Sequence, residues 1–256
     1  MGNNITKLII EAINGAGIEI VNGDVLLVAD KIVATSEGRV VKLKSIHPTK
    51  KAEKLAKKYS LEPQFVELVL READEIYGGV PRALATLKNN VLIANAGIDH
   101  KNAPENSACL WPANPNETTK KIWKALSEET KRRIGVILVD SRVNPLRLGT
   151  TGFALGIAGI RPIRDCRGMV DLYGRRILIT RVNVCDDLAA AAHLVMGEAA
   201  ERTPLVVVRG APVELTDQYD PDEMIIEKNE CLYMRLLSKK KLGVKKVNAL
   251  RRQEYT

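Results

Sequence analysis

The sequence predicts an α+β fold built on a mixed sheet. One observation is the continuous apolar run at residues 134–139, which is typical of a strand buried on both faces and reached by a crossover connection. A second is a hairpin pattern, in which residues 83–87 and 91–94 flank the turn residues Lys88, Asn89 and Asn90. Crossover and hairpin patterns in one chain, without an evident internal repeat, favour a mixed α+β architecture.

The amino-terminal half alternates helix and strand signals. In chain order we predict a helix capped by Asn3 and Asn4 with Leu8, Ile9, Ala12 and Ile13 on its apolar face, a strand at 24–29, a short helix within 30–39 and an extended segment at 40–43. Two amphipathic helices follow at 49–59 and 63–77, ahead of the hairpin.

The carboxyl-terminal half begins with a predicted helix at 117–126, followed by the strand at 134–139. The small residues of 150–159 indicate close backbone packing or approach of a ligand. We then predict a strand at 176–184, a buried alanine-rich helix at 185–197 and a short buried strand at 204–210. His193 lies on the apolar face of that helix and is interpreted as a core histidine.

Composition restricts the protein class. The chain has 256 residues, 45% of them hydrophobic, and its apolar runs are shorter than the ~20 residues of a bilayer span. Nothing at its start has the order of a signal peptide. The four cysteines are far apart, which indicates neither zinc nor a disulfide framework, so we expect a protein of the reducing cytoplasm that does not associate with membranes.

The net charge of +8 is concentrated at the carboxyl terminus. Seven basic residues and one acid between Lys239 and Thr256 contribute +6 of it. We therefore interpret 239–256 as a solvated basic tail and 1–238 as a single unit, within which two closely packed subdomains are an alternative. Because the rest of the chain is nearly balanced, nucleic acid is not an expected partner.

Two aspartates are the first candidates for a functional site. Asp99 follows the apolar run at 91–94 through Asn95, Ala96, Gly97 and Ile98, and Asp140 with Ser141 is predicted at the end of the 134–139 strand. Open sheets bind ligands beyond the carboxyl ends of such strands, and Mg²⁺ or Mn²⁺ prefers oxygen ligands. The alternative is that each aspartate caps a following turn or helix.

Several common chemistries lack their motifs. We find no Gly-x-x-x-x-Gly-Lys-Ser/Thr phosphate loop, no Gly-x-Gly-x-x-Gly after a strand and no Gly-x-Ser-x-Gly elbow. The three histidines do not cluster in sequence, and His100, beside Asp99, is a minor site candidate. A common nucleotide-binding fold is therefore not predicted.

A set of short motifs, in this order, resembles the coenzyme F420-0:L-glutamate ligase family. The motifs are Gly23-Asp24-Val25-Leu26-Leu27-Val28, Ser36-Glu37-Gly38-Arg39, Asn95-Ala96-Gly97-Ile98-Asp99 with Asn102, Val139-Asp140-Ser141, Gly156-Ile157-Ala158-Gly159, Asp171-Leu172-Tyr173-Gly174, Met196-Gly197-Glu198 and Val208-Arg209-Gly210. The resemblance implies the mixed-sheet F420 glutamyl ligase-like fold in an intertwined homodimer. It also implies a GTP-dependent enzyme of archaeal type that joins L-glutamate to the carboxylate of coenzyme F420-0.

The resemblance also implies site residues and cofactors. The family's metal ligands correspond to Asp99, Asp140, Ser141 and Glu198, with Mg²⁺ or Mn²⁺ as the metal and K⁺ as a possible further cofactor. The nucleotide-binding positions correspond to Asn102, Asp30, Lys31, Thr35, Met196 and Gly197. Three carboxylates in one predicted site would need a cation to offset their repulsion.

The sequence departs from the family pattern near the nucleotide. Because the chain starts at Met1, we expect it to lack the family's leading strand and loop, and Thr35 stands where a lysine is usual. The segment 142–147 and the residues after Glu198, which are Ala199, Ala200 and Glu201, also differ. Two hypotheses follow: an active ligase for coenzyme F420-0 or a related carboxylate-bearing cofactor, or a non-catalytic paralogue that only binds a ligand or partner.

Overall fold

The computed structural model describes residues 4–237. The predicted basic tail at 239–256 lies outside the described residues. The helices within 4–237 are α1 (Ile5–Gly15), α2 (Asp30–Ser36), α3 (Lys50–Tyr59), α4 (Pro63–Glu72), α5 (Pro115–Thr130), α6 (Val184–Met196) and α7 (Met234–Leu237). The strands are β1 (Val25–Ala29), β2 (Val40–Lys42), β3 (Glu75–Val80), β4 (Ala83–Lys88), β5 (Val91–Ala94), β6 (Ser107–Cys109), β7 (Gly135–Val143), β8 (Thr150–Ala158), β9 (Ile163–Asp165), β10 (Arg181–Asn183) and β11 (Leu205–Val208).

The chain divides into two compact units. Of the described residues, the first unit, the sheet unit, comprises 4–36, Asn114–Ser141 and Thr150–Ile225. The second, the hairpin unit, comprises Glu37–Ala113, Arg142–Gly149 and 226–237. Each unit therefore contains segments that are distant in the sequence.

The sheet unit is built on a four-stranded mixed sheet in the order β11-β1-β7-β8. Strand β1 pairs in parallel with β7 and antiparallel with β11. Helix α6 buries its apolar side, including Cys185 and Ala189, against Val25 and Leu27 of β1 and Ile137 of β7. Mixed strand pairing beside helices agrees with the predicted α+β class.

Two glycines let helices lie against β8. A Cβ at Gly156 would be 2.6 Å from Oγ1 of Thr119 in α5, and a Cβ at Gly152 would be 2.3 Å from the carbonyl oxygen of Ala189 in α6. Real Cβ atoms do not approach this closely, so both contacts require glycine. The close backbone packing predicted for 150–159 is confirmed.

The hairpin unit contains the antiparallel sheet β3-β4-β5 and the antiparallel pair β2-β6. The predicted hairpin is confirmed, because Lys88 pairs with Val91 and the two turn residues Asn89 and Asn90 have φ of 49° and 61°. Positive φ at both central residues is the signature of a type I′ turn. Helices α3 and α4 supply much of the core, including the fully buried Ala52, Val66 and Leu68.

Four element predictions need correction. The predicted helix at 63–77 ends at Glu72, because residues 75–80 pair instead with β4 as strand β3. The predicted strand at 176–184 is shorter in the structure, where β10 covers 181–183 and pairs, among the strands within 4–237, only with the short β9. The predicted buried strand at 204–210 is β11, which is only half-buried because it lies at the edge of the sheet, with β1 on one side. Leu8, placed on the apolar face of α1, is 42% exposed.

No helix within residues 4–237 is both long and apolar enough to cross a membrane.

Candidate functional site

Strands β1 and β7 bring two acids to adjacent positions in the sheet unit. The parallel register pairs Val28 with Leu138 and Ala29 with Val139. The next residues along the two strands are Asp30 and Asp140. Asp30 begins helix α2 and is buried, at 7% exposure, whereas Asp140 is half-buried. In each chain segment, a carboxylate therefore follows directly after the paired part of the two parallel strands.

The position of Asp140 corrects one expectation. We predicted Asp140 and Ser141 at the end of a strand, but β7 continues to Val143. The pairing with β1 nevertheless stops at Val139, so both residues follow the two-sided, buried part of the strand. One carboxylate oxygen of Asp140 accepts a hydrogen bond from the backbone N–H of Ser141 at 2.7 Å.

Glu198 is held by two side chains of the sheet unit. Its Oε1 lies 2.7 Å from Oγ1 of Thr150, at the start of β8, and 2.9 Å from Nε2 of His193, in the last turn of α6. The interpretation of His193 as a core histidine is wrong. Its side chain is 15% exposed and its ring nitrogen contacts the predicted metal ligand.

The turn that carries Glu198 depends on Gly197. This residue has φ of 71°, and its backbone N–H donates to the carbonyl of His193 to end helix α6. A Cβ on Gly197 would lie 2.1 Å from Cδ of Glu201, whose Oε2 accepts the backbone N–H of Ala199 at 2.8 Å. Glu201, noted in the sequence as a departure from the family pattern, therefore stabilises the turn.

The predicted nucleotide-binding residues of the sheet unit lie on two helices. Asp30, Lys31 and Thr35 belong to α2, where Oγ1 of Thr35 donates to the carbonyl oxygen of Lys31 at 2.7 Å. Met196, the last residue of α6, is buried in the core formed by α6 and the sheet. No contact of these residues tests a role in nucleotide binding, which stays a prediction.

Asp99 lies in the hairpin unit, after an unusual turn. Asn95, Ala96 and Gly97 all have positive φ, and Oδ1 of Asn95 accepts the backbone N–H of Leu84 at 2.8 Å. A Cβ on Gly97 would lie 2.1 Å from Cε2 of Trp111. The chain can therefore pass beneath the Trp111 indole only with glycine at this position, and Asp99 is two residues further on.

The contacts of Asp99 include those of a turn cap. Its backbone pairs with Cys109 in both directions, at 3.0 and 2.8 Å. Its Oδ1 accepts the backbone N–H of Lys101 at 2.8 Å, and its side chain is 34% exposed. One carboxylate oxygen thus caps the following turn, as the alternative interpretation proposed, and the carboxylate still reaches solvent. Asn102 is exposed in this turn, with φ of 54°.

His100 has a packing role in the hairpin unit. Its ring stacks on Phe65 with centroids 4.4 Å apart, and its Nδ1 lies 3.3 Å from the carbonyl oxygen of Ser107. These two contacts fix the position of the ring. Packing and one polar contact therefore account for His100, and its candidacy as a site residue stays a prediction.

The predicted metal ligands share one donor chemistry. Asp140, Ser141 and Glu198 belong to the sheet unit, and Asp99 belongs to the hairpin unit. All four offer oxygen donors, which suit Mg²⁺ or Mn²⁺. Within residues 4–237 no three His, Cys, Asp or Glu side chains are already gathered as a metal-binding group. The donor set fits a divalent cation, and its convergence on one ion stays a prediction.

Sequence reasoning missed Thr150 and His193 as site residues. In the sequence, Thr150 is marked only by its position at the start of the glycine-rich segment. His193 is marked only by its position five residues before Glu198. Neither signal indicates that the chain folds back after Gly197, which is what brings the three side chains together.

Comparison with known proteins gives consistent matches. The model of a family described as F420-0:Gamma-glutamyl ligase matches residues 1–210. The chain is 40% identical over 212 residues to a coenzyme F420:L-glutamate ligase from Methanothermobacter thermautotrophicus, covering 82% of this chain and 84% of that protein. It is 38% identical over 192 residues to the ligase of that name from Archaeoglobus fulgidus, covering 75% and 77%. The corresponding protein from Methanopyrus kandleri is 38% identical over 215 residues, covering 84% and 83%.

Proposed function

This chain belongs to the F420-0:gamma-glutamyl ligase family, and we propose that it joins L-glutamate to the carboxylate of coenzyme F420-0 through an amide bond. The observation that carries the proposal is the extent of the match. Residues 1–210 include every predicted site residue, from Asp30 on α2 to Glu198 after α6. The relatives carry the name coenzyme F420:L-glutamate ligase, which supports glutamate ligation to this cofactor as the reaction.

The chemistry that we propose proceeds through an acyl phosphate. A carboxylate is a poor electrophile, so an oxygen of the acceptor carboxylate first attacks the γ-phosphorus of GTP, and GDP leaves. The amine of L-glutamate then attacks the acyl carbon and loses a proton, and inorganic phosphate departs. One nucleotide is hydrolysed to its diphosphate for each amide formed.

The site residues have distinct roles in this proposal. Asp99, Asp140, Ser141 and Glu198 would hold Mg²⁺ or Mn²⁺. When bound, the cation neutralises charge on the phosphoryl group and orients it. Lys31 is the cationic side chain nearest in sequence to Asp30, and we assign it to the nucleotide phosphates in place of the lysine that Thr35 replaces. Asn102, Met196 and Gly197 are the remaining nucleotide positions.

We also propose that the ligase is a homodimer. In the sheet unit, Leu172, Tyr173, Leu178 and Ile179 are each at least 77% exposed. In the hairpin unit, Leu146 and Leu148 are fully exposed. Clustered large apolar side chains of this kind usually mark a surface that another protein covers. The apolar character of both segments supports assembly with a second copy.

One observation favours a second candidate function, a paralogue that binds its ligand without catalysis. Thr35 stands at a position where the family has a lysine, and its hydroxyl donates a hydrogen bond to the carbonyl oxygen of Lys31. Loss of a phosphate-binding cation would weaken nucleotide use more than metal binding.

The proposed function is tested by following both products of the reaction. Purified protein is incubated with coenzyme F420-0, L-glutamate, Mn²⁺ and either GTP or ATP, and mass spectrometry measures glutamate addition and nucleotide diphosphate. Wild type should form both products, and Asp140→Asn should form neither, because it removes a carboxylate ligand. Asp187→Asn is the matched control, since Asp187 is exposed in the first turn of α6 and has no place in the site. A folded wild type that binds nucleotide but forms neither product would favour the binding-only paralogue.

A further inference from the structure

The Glu198 carboxylate is tied to two different elements of the sheet unit. Thr150 opens strand β8, His193 lies near the end of helix α6, and both side chains reach the same oxygen, at 2.7 and 2.9 Å. Because an ionised carboxylate only accepts hydrogen bonds, the Thr150 hydroxyl and the His193 Nε2–H are both donors. Two donors from separate elements fix the position of Oε1 relative to the sheet.

The reach of His193 depends on how closely α6 approaches β8. A Cβ on Gly152 would lie 2.7 Å from Cβ of His193 and 2.3 Å from the carbonyl oxygen of Ala189. Glycine at 152 therefore lets the last turn of α6 lie against the strand that begins with Thr150. The positive φ of Gly197 then turns the chain so that Glu198 lies between the two donors.

We propose that Thr150 and His193 are positioning residues, which hold the Glu198 carboxylate in the orientation that binds the divalent cation. The inference rests on the proposed function, in which Glu198 is a metal ligand. Groups that hydrogen-bond to metal ligands orient them, and their loss typically weakens metal affinity by about 10- to 100-fold. Neither residue touches the substrate in this proposal, so neither is a catalytic residue.

A purely structural role makes a different prediction. If the contact between His193 and Glu198 served only to end helix α6, its removal would lower the melting temperature without a specific loss of metal affinity. If instead it orients the carboxylate, variants that keep a donor should keep much of the affinity. Gln can present an N–H near the position of Nε2, and Ser keeps the hydroxyl of Thr.

The experiment measures Mn²⁺ binding to the full chain by electron paramagnetic resonance, with and without GTP, and melting by circular dichroism. His193→Ala and Thr150→Val should each bind Mn²⁺ about 10- to 100-fold more weakly than wild type. His193→Gln and Thr150→Ser should recover most of the lost affinity. His47→Ala is the matched control, because His47 is exposed in the hairpin unit, and it should bind as wild type does.

The outcomes separate this inference from the proposed function. If wild type binds no Mn²⁺ under either condition, the metal assignment fails and the inference fails with it. If wild type binds Mn²⁺ and the Ala and Val variants bind equally well, only the positioning role is overturned. The positioning role would also be overturned if the Gln and Ser variants bound Mn²⁺ as weakly as the Ala and Val variants and lost as much melting temperature. Should His193→Ala not fold, the nearly isosteric Thr150→Val decides the question.

Discussion

Asp24 and Arg209 form a bidentate ion pair, although they lie 185 positions apart in the sequence. Nε of Arg209 lies 2.8 Å from one carboxylate oxygen of Asp24, and Nη2 lies 2.9 Å from the other. The pair extends the antiparallel ladder of β1 and β11 by one position, since Val25 pairs with Val208. Asp24 is 1% exposed, and its carboxylate accepts hydrogen bonds from this guanidinium and from the backbone N–H of Val21.

We expect this ion pair to make stability depend on pH. The hydrogen bond from Arg209 holds the pKa of Asp24 below its ordinary value of 3.8, against the opposing effect of burial. A pKa that is lower in the folded protein means that the unfolded chain takes up the proton first as the pH falls. The stabilisation by Asp24 is therefore complete well above pH 3.8 and is lost as the pH falls through the depressed pKa.

Asp24→Asn tests this pH dependence. The variant should be less stable than wild type by about 1 to 2 kcal/mol near pH 7, because it replaces a charge-assisted hydrogen bond by a neutral one. The difference should shrink as the pH is lowered below 4. Urea unfolding of both proteins between pH 3 and 7 measures it, and a difference that stays constant over this range would contradict the assignment.

We expect a lysine in a buried group of three charges to contribute more to the free energy of unfolding than a lysine in an exposed ion pair. In the hairpin unit, Glu72 is 3% exposed and contacts Lys88 at 2.7 Å and Arg39 at 3.0 Å. Burial alone would raise the pKa of Glu72, but the two cations outweigh it and hold the pKa below 4.5. Lys88→Met leaves a buried carboxylate with one cation fewer, and we expect a loss of about 2 to 3 kcal/mol.

Lys228→Met is the matched control for Lys88→Met. Lys228 contacts Glu75 at a similar 2.9 Å, but its side chain is 40% exposed. Exposed ion pairs contribute about 1 kcal/mol or less, so this variant should unfold close to wild type. Chemical denaturation measures the free energy of unfolding of both variants. Equal losses would show that burial does not determine how much the Lys88 contact stabilises the fold.

Alanine substitutions at Gly97 and Gly38 separate the effect of a steric clash on stability from the effect of backbone strain. Their φ values are 70° and 71°, so an alanine at either position pays a similar cost of about 1 to 2 kcal/mol. Only at Gly97 would the added Cβ meet the Trp111 ring, at 2.1 Å, whereas nothing lies within 4 Å at Gly38. Gly97→Ala should therefore lose at least about 1 to 3 kcal/mol more than Gly38→Ala. Thermal melts compare them, and similar melting temperatures would contradict the close packing at Trp111.

Local sequence signals account for much of the fold. The hairpin at Asn89 and Asn90 is predictable because asparagine tolerates the positive φ that a two-residue turn requires. Helix α1 begins after Asn4, whose side chain accepts backbone N–H groups as an N-cap should. These features depend on residues that are close in the sequence, which is why patterns alone identify them.

Features that depend on distant segments are not predictable in this way. Residues 73–77 have helical spacing of apolar side chains, yet β4 offers a ladder of hydrogen-bonding partners and residues 75–80 become strand β3. Asp140 was predicted from its own strand, but its position beside Asp30 follows only from the register of β1 with β7. The site contacts of His193 likewise require the reversal at Gly197, which no periodicity reveals.

The last prediction concerns assembly, and it rests on two exposed apolar segments. Leu148 of the hairpin unit and Leu172 of the sheet unit are fully exposed in the single chain. If a second copy covers them, the complex should bury an interface of about 2,000 Å² or more, and light scattering should report twice 28.2 kDa at micromolar concentration. Leu148→Lys and Leu172→Lys each place a charge in that interface and should shift the protein toward monomer. Val80→Lys is the control, since Val80 is also exposed, at 64%, but belongs to neither segment. A folded wild-type monomer would contradict the homodimer, and dissociation by Val80→Lys alone would place the interface on the β3-β4 hairpin instead.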